Sequence, residues 1–139
     1  MLNPLRVFWW TWTERASFLE ALFSLYLAKI YLALLGFKKV RRIFVKLRGN
    51  RSSRSEINIA QKAVLRAQHL IFWKRSACLT NALALQSMLA RRGYKSELHL
   101  GVAKAPTLKA HAWLAFEGRD LIGGRQKASF TPIASFDTD

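Results

Sequence analysis

The spacing of apolar residues changes at Gly93, and this change limits the fold more than any other feature of the chain. Ahead of it, apolar residues recur every three or four positions over Lys74–Gly93, which predicts an amphipathic helix. Beyond it, apolar and polar residues alternate over Tyr94–Ala103 and over Lys109–Phe116. Alternation predicts strands, because successive strand residues face opposite sides of a sheet. A helix followed by paired strands places the chain in the α+β class.

Turn residues extend the predicted sheet beyond these two strands. Glu117–Gly118 is typical of a tight turn, so Arg119–Ile122 is predicted to return as a third strand. Ser129–Ile133 is predicted to add a short strand at the sheet edge, because Pro132 cannot donate a ladder hydrogen bond in a central strand. Residues Phe136–Asp139 are predicted to form a frayed tail.

Two helices are predicted before this unit. The first covers Arg15–Leu35, with Thr13 as its N-cap and Gly36 as its stop. The second begins at Ser55 and ends near Leu70. The α+β chain is therefore expected to place N-terminal helices ahead of a core made of one helix packed on a small antiparallel sheet.

Basic residues are concentrated between these two helices. The chain holds 23 Lys and Arg against 8 Asp and Glu, a formal charge of +15, and Lys38–Arg54 contains no acid. Such a block either attracts an anionic partner or forms a solvated helix end and linker. We expect an N-terminal helical region with a basic linker over residues 1–55 and a core over residues 56–139, packed together as one compact unit.

The first predicted helix is apolar almost all the way round, so it requires cover on several sides. Packing within the domain is the first expectation; docking on a partner protein and peripheral contact with a membrane surface are the alternatives. A transmembrane span is not expected, because Glu20 and Lys29 interrupt the apolar run.

Composition and motifs also indicate the cellular compartment and the classes of partner to expect. Met1–Trp12 lacks a secretory pattern and the chain has a single cysteine, so a cytoplasmic protein is expected. No zinc-finger, RNP or helix-turn-helix pattern is present, so no specific nucleic-acid partner is expected. No metal or cofactor motif is visible in the sequence.

The candidate chemistry rests on Cys78 and His111. A helix N-terminus stabilises a thiolate, and an imidazole within reach can take the proton and return it to a leaving amine. The backbone N–H of Cys78 would also point at the developing oxyanion. Taken alone, a cysteine in an apolar helix is more often a small buried side chain, and a single histidine is more often a packed or surface one. A cysteine that opens a helix against a sheet bearing a histidine is typical of transglutaminase-like and papain-like folds.

The residues around this pair resemble a known family. The strings CLTNALALQSMLARRGYKSELHLGVAK and AHAWLAFEGRDLIGG are similar to the leader-peptidase proteins of lasso peptide biosynthesis, a bacterial branch of the transglutaminase-like superfamily. The likeness extends to the N-terminal helix, and only the basic linker is poorly matched. It is carried by Thr13, Arg15, Leu19–Leu22, Cys78–Leu79, Ala82–Leu85, Leu89–Gly93, Gly101–Val102, Ala110–Trp113, Gly118–Arg119 and Ile122–Gly124.

This resemblance implies a cysteine peptidase that cuts the leader from a lasso precursor peptide. The cut would free the amino terminus of the core peptide for macrolactam closure by a separate lasso cyclase. The chain looks like the split form of the family, which lacks the recognition domain and works with a separate precursor-recognition protein. The first helix and the basic block are then candidate docking surfaces for that protein or for the leader.

By resemblance, Cys78 is the nucleophile and His111 is the general base and acid. The family places an orienting aspartate on the following strand, near the position that Gly123 occupies here, and Asp120 is the carboxylate on that strand. Asp120 is therefore the expected third member, with a backbone carbonyl or an amide such as that of Gln126 as the alternative. Trp113 either walls the cleft and contacts substrate or is a packed aromatic.

Two other classes of function remain open at this point. A transglutaminase-like acyltransferase would use the same Cys–His chemistry with an amine as acceptor in place of water. A non-enzymatic basic adaptor would bind membrane or nucleic acid through its N-terminal half and would not need Cys78.

Overall fold

The computed structural model describes residues 11–45, 54–70, 77–104 and 107–138. The segment Gly49–Arg54 and the start of the helix predicted from Lys74 lie largely outside these ranges. The described helices are α1 (Trp12–Leu35), α2 (Phe37–Phe44), α3 (Ser55–Ala67) and α4 (Ala77–Arg91). The strands are β1 (Glu97–Ala103), β2 (Lys109–Phe116), β3 (Arg119–Ile122) and β4 (Thr131–Asp137). Short 3-10 helices lie at Gln68–Leu70 and Gly124–Ser129.

The helix ends follow from local hydrogen bonds. Thr11, rather than the predicted Thr13, caps α1: its hydroxyl accepts from the Glu14 amide at 3.3 Å, and the Glu14 carboxylate accepts from the Thr11 amide at 3.0 Å. This reciprocal pair needs a cap three residues before the glutamate, which excludes Thr13. At the end of α4, Gly93 has a φ of 82°, and the Tyr94 amide donates to the Leu89 carbonyl at 2.9 Å. That bond keeps Tyr94 out of β1.

The four strands form one antiparallel sheet in the order β3-β2-β1-β4, which confirms the α+β class. The third strand has its predicted bounds, and Pro132 lies on the edge strand β4 as expected. The predicted frayed tail is wrong. Phe136 and Asp137 pair with β1, and the Thr138 amide donates to the Ser96 carbonyl at 3.1 Å. Strand pairing therefore overrides the terminal position.

Helices α1, α3 and α4 share the core with one face of the sheet. Leu98 of β1 and Leu114 of β2 are opposite each other in register and lie in this core. Gln86 of α4 is fully buried, and its Nε2 donates to the carbonyls of Ser96 and Phe136 at 3.2 and 3.1 Å. The Gln86 side chain thus links α4 to the segment before β1 and to the end of β4.

Helix α1 packs on the domain through small side chains. Its fully or nearly fully buried residues are Ser17, Ala21, Ser24, Leu25 and Ala28. The expectation that α1 packs within the domain is therefore confirmed for one side of the helix, where Leu25 is buried and Phe18 and Leu22 pack against the core, and is wrong for the outward side. Leu19 and Phe23 are 64% and 65% exposed, since the close approach of small residues leaves the large ones on the outer side.

An ion-pair cluster ties α1 to the end of α4. The Glu20 carboxylate accepts from Arg91 Nε at 2.9 Å and from Arg92 Nη2 at 2.8 Å. Burial alone would raise the pKa of Glu20, but the hydrogen bonds and charges of Arg92 and Arg91 outweigh burial and lower this pKa. The charged side chain that interrupts the apolar run is thus turned toward the protein.

By length and composition alone, α1 could also cross a membrane. It has 24 residues, a mean hydropathy of 1.7, and 28% of the qualifying window is buried in the protein.

Candidate active site

Cys78 lies in the first turn of α4, as the sequence predicts. It is a free, half-buried thiol. The first amides of a helix have no carbonyl acceptor within the helix, so they can stabilise a thiolate or an oxyanion at this position. Cys78 therefore lies at a helix position where backbone amides can stabilise negative charge.

His111 lies on β2, opposite Gly101 of β1, and is only 7% exposed. Its Nε2 lies 2.7 Å from the Gly123 carbonyl oxygen, and its ring stacks on Phe130 with centroids 5.0 Å apart. A carbonyl can only accept, so this contact requires the proton on Nε2. The lone pair is then on Nδ1, which makes that atom the available base.

Cys78 and His111 border the same cavity, which has a volume of about 290 Å³. Its other lining residues are small or aliphatic: Leu79, Leu100, Gly101, Val102, Ala110, Ala112 and Ile133. No hydrogen bond joins the Cys78 thiol to the imidazole in the parts of the chain that the structure describes. In enzymes without substrate such bonds are often long and shorten in the complex. The cavity is a mostly apolar space, bordered by α4, β1, β2 and β4, that a substrate carbonyl could enter.

Gly123 contacts the His111 ring through its backbone carbonyl. The sequence allows a backbone carbonyl to orient His111 but does not identify this residue. Its φ of 78° and ψ of 0° follow the end of β3 and direct its carbonyl at His111. A Cβ at this position would lie 2.6 Å from the Ala112 carbonyl oxygen and 3.1 Å from Trp113 Cβ. Only glycine fits, because both the left-handed backbone and the close approach exclude a side chain. The pair Gly123–Gly124 after a strand was the available signal.

The Asp120 carboxylate engages a different partner. Its Oδ2 lies 2.5 Å from Lys127 Nζ, and its side chain packs under Gly124, where an added Cβ would lie 2.5 Å from Asp120 Cβ. It lines a separate cavity of about 790 Å³ that also includes Gln61 and Gln126. The structure therefore brings the Gly123 carbonyl, and not Asp120, to His111. A catalytic role for Asp120 stays a prediction.

Trp113 lies between the two imidazoles on the sheet face opposite the helices. It is 5% exposed and stacks on His99 and His111 with centroids 5.6 and 6.1 Å apart. His99 in turn lies 3.3 Å from the Glu97 carboxylate. Trp113 is placed to hold the His111 ring, and direct contact between Trp113 and substrate stays a prediction. Within the described ranges, no cluster of three His, Cys, Asp or Glu side chains could hold a metal ion.

Part of the basic block folds as α2. Lys38, Lys39 and Arg42 are exposed there, whereas the Arg41 guanidinium donates to the Asp137 carbonyl at 2.9 Å. Residues 37–44 are helical, so the first part of the basic block belongs to a helix with exposed lysines. Residues 46–53 lie outside the described part of the chain.

Comparison with protein families gives one match. A family model described as the transglutaminase-like superfamily matches residues 24–135, a span that contains both Cys78 and His111. Comparison with the curated proteins and with the solved structures finds no match.

Proposed function

Because the chain belongs to the transglutaminase-like superfamily, whose members are generally cysteine proteases and acyltransferases, we propose that it is a cytoplasmic cysteine peptidase that removes the leader from a lasso precursor peptide. The observation that carries a Cys–His enzyme is that Cys78, at a helix start, and His111, on a central strand, border one cavity. The choice of a lasso precursor is supported by the sequence motifs around Cys78 and His111.

The chemistry proposed for this site is acyl transfer through a thioester. His111 Nδ1 takes the thiol proton, and the Cys78 sulfur attacks the scissile carbonyl carbon. The first amides of α4 stabilise the resulting oxyanion. The imidazolium then protonates the leaving amine, which departs as the amino terminus of the core peptide and leaves the leader as a thioester. Water, deprotonated by His111, releases the leader as a carboxylic acid and restores the thiol.

The Gly123 carbonyl has a positioning role in this scheme. It accepts the Nε2 proton, so it selects the tautomer in which Nδ1 is the base. A neutral carbonyl can replace the usual carboxylate here because an orienting group must hold the ring and need not itself be protonated. If Asp120 orients the ring instead, Asp120→Ala should lower the rate of cleavage markedly, though by less than His111→Ala does.

The partners proposed for the reaction follow from its products. The free amine is the nucleophile that a separate lasso cyclase would need for macrolactam closure. A separate precursor-recognition protein would hold the leader while the 290 Å³ cavity admits the residues at the cut.

Mass spectrometry of a precursor peptide incubated with the protein and a recognition partner tests the proposal. Wild type should give one leader-sized cut, and Cys78→Ala and His111→Ala should give none. An added primary amine distinguishes the alternatives, since an acyltransferase would give the amide of the leader in preference to its acid. Cleavage unchanged in Cys78→Ala would exclude a cysteine mechanism. Folded, precursor-bound protein without any acyl product would favour the non-enzymatic adaptor.

A further inference from the structure

The outward side of α1 is apolar along its whole length. Exposed residues recur at intervals of three or four from Trp12 to Leu34, which places them on one side of a helix. None of the exposed residues of α1 is charged: they are Trp12, Thr13, Ala16, Leu19, Phe23, Tyr26, Ile30, Ala33, Leu34 and Leu35. This face, defined by the exposed large residues Trp12, Leu19, Phe23, Tyr26, Ile30 and Leu34, is the outer face.

Residue size on α1 departs from ordinary core packing. The fully buried positions carry serine and alanine around a single leucine, and Phe18, Leu22, Tyr31 and Leu32 are partly buried against the core. The large side chains of the outer face are left exposed. Burial of large apolar side chains normally supplies most of the stability of a docked helix. The outer face therefore contributes little to the described domain, and its composition needs a ligand outside the domain.

Acidic groups are held away from the outer face, and basic groups flank it. Glu20 is paired with Arg91 and Arg92, and Glu14 lies 3.9 Å from Arg66. At the C-terminal end of α1, exposed Lys38 and Lys39 follow within four residues of Leu35. The chain as a whole carries a charge of +15. A binding partner with a negatively charged surface over an apolar interior matches this arrangement.

We propose that the outer face and the lysines of α2 bind an anionic phospholipid surface, with α1 lying in the plane of the interface. The Glu20 pairs keep α1 docked on α4, so the helix presents one side to the lipid and does not cross the bilayer. Tryptophan and tyrosine on such a face favour the headgroup level, and lysines near it gain from the negative surface potential. A second copy is a poorer occupant, because it would bring two strongly basic molecules together.

Vesicle sedimentation of the full chain, without precursor, tests this proposal independently of peptidase activity. Binding should be strong to phosphatidylcholine vesicles containing phosphatidylserine and weak to phosphatidylcholine alone. The doubly substituted Leu19→Ser/Phe23→Ser protein should bind more than about tenfold more weakly. Leu108→Ser is the matched control, since Leu108 is 74% exposed but lies between β1 and β2; it should bind like wild type.

Two double variants test how much the lysines contribute to vesicle binding. Lys38→Ala/Lys39→Ala should weaken binding to anionic vesicles about thirtyfold, the equivalent of roughly two lysines near the surface. Lys95→Ala/Lys104→Ala removes the same charge from exposed positions of the sheet region and should have a smaller effect. Circular dichroism confirms that each variant is folded.

Four results would overturn the proposal. Equal binding to neutral and anionic vesicles would show that charge does not contribute to binding. Equal losses of binding in the control variants would show that the outer face is not the binding surface. Resistance of bound protein to alkaline carbonate extraction would assign α1 as a spanning helix. A dimer that Leu19→Ser/Phe23→Ser dissociates, in protein that ignores vesicles, would assign the face to a second copy.

Discussion

The active-site cleft and the outer face of α1 are both apolar, but they are built in opposite ways. At the candidate active site, local backbone geometry positions a few polar groups: a helix start carries Cys78, and the left-handed Gly123 turns its carbonyl to His111. On α1, polar groups such as Glu20 are turned into the protein and large apolar side chains face outward. The candidate site therefore depends on contacts within the chain, whereas the outer face is directed away from it.

The largest expected effect on the cleavage rate distinguishes His111 from His99, the two histidines whose rings stack on Trp113. His111→Ala should lower the rate of precursor cleavage by about 10⁴-fold, because the base and the acid are both lost. His99→Ala should lower the rate by less than about threefold, since an aromatic contact and a pair with Glu97 are lost but no proton-transfer group is. Mass spectrometry of cleavage products at a series of times measures both. A similar loss in both variants would mean that the stack, rather than the His111 base, sets the rate.

The next expected effect distinguishes two glycines that have nearly the same positive φ. Gly118 and Gly123 have φ values of 79° and 78°, but an added Cβ has no neighbour within 4 Å at Gly118 and meets the Ala112 carbonyl at Gly123. Gly118→Ala should lower the free energy of unfolding by about 1 kcal/mol, the cost of the left-handed backbone alone. Gly123→Ala should lower it by about 3 kcal/mol, because the contact adds strain to that cost.

Catalysis should separate the same two variants. Gly123→Ala displaces the carbonyl that holds His111, so kcat should fall by about tenfold or more with a smaller change in KM. Gly118→Ala should leave both constants near wild type, since Gly118 lies in the β2–β3 turn. Urea unfolding and steady-state cleavage provide the two readouts. A normal kcat in folded Gly123→Ala protein would transfer the positioning role to another group, with Asp120 the first candidate.

A smaller effect concerns the attachment of α1 to the domain. Because the pKa of Glu20 is below its ordinary value of 4.5 in the folded protein, its stabilisation is complete above that value and is lost as the pH falls through the lower folded pKa. Glu20→Gln should therefore reduce the free energy of unfolding by about 1–2 kcal/mol at neutral pH. Denaturant unfolding over a range of pH should show the two proteins converging in acid.

Glu117→Gln is the control for this ion pair. Glu117 pairs with Arg54 at 3.2 Å, but the two side chains are 52% and 71% exposed. The change should cost less than about 0.5 kcal/mol at neutral pH, because water screens an exposed pair. Equal effects of Glu20→Gln and Glu117→Gln would mean that α1 is not held by the Arg91 and Arg92 contacts.

The sequence predicted those parts of the molecule that local signals determine. The change of period at Gly93, the third strand and the cysteine at a helix start each depend on a few neighbouring residues, and the structure has all three. The pairing of Phe136 with β1 depends on a partner far away in the chain, so composition at the terminus gave the wrong expectation. The Gly123 contact depends on a backbone direction that no side chain encodes.

The smallest expected effect is on the outer face itself. Phe23 is 65% exposed and Leu25, two residues later, is fully buried, although both are large apolar residues of one helix. Leu25→Ala should lower the free energy of unfolding by about 3 kcal/mol, whereas Phe23→Ser should change it by less than about 0.5 kcal/mol. Urea unfolding without lipid measures both. A large loss in Phe23→Ser would show that the chain itself covers the outer face, and the contrast between that face and the cleft would disappear.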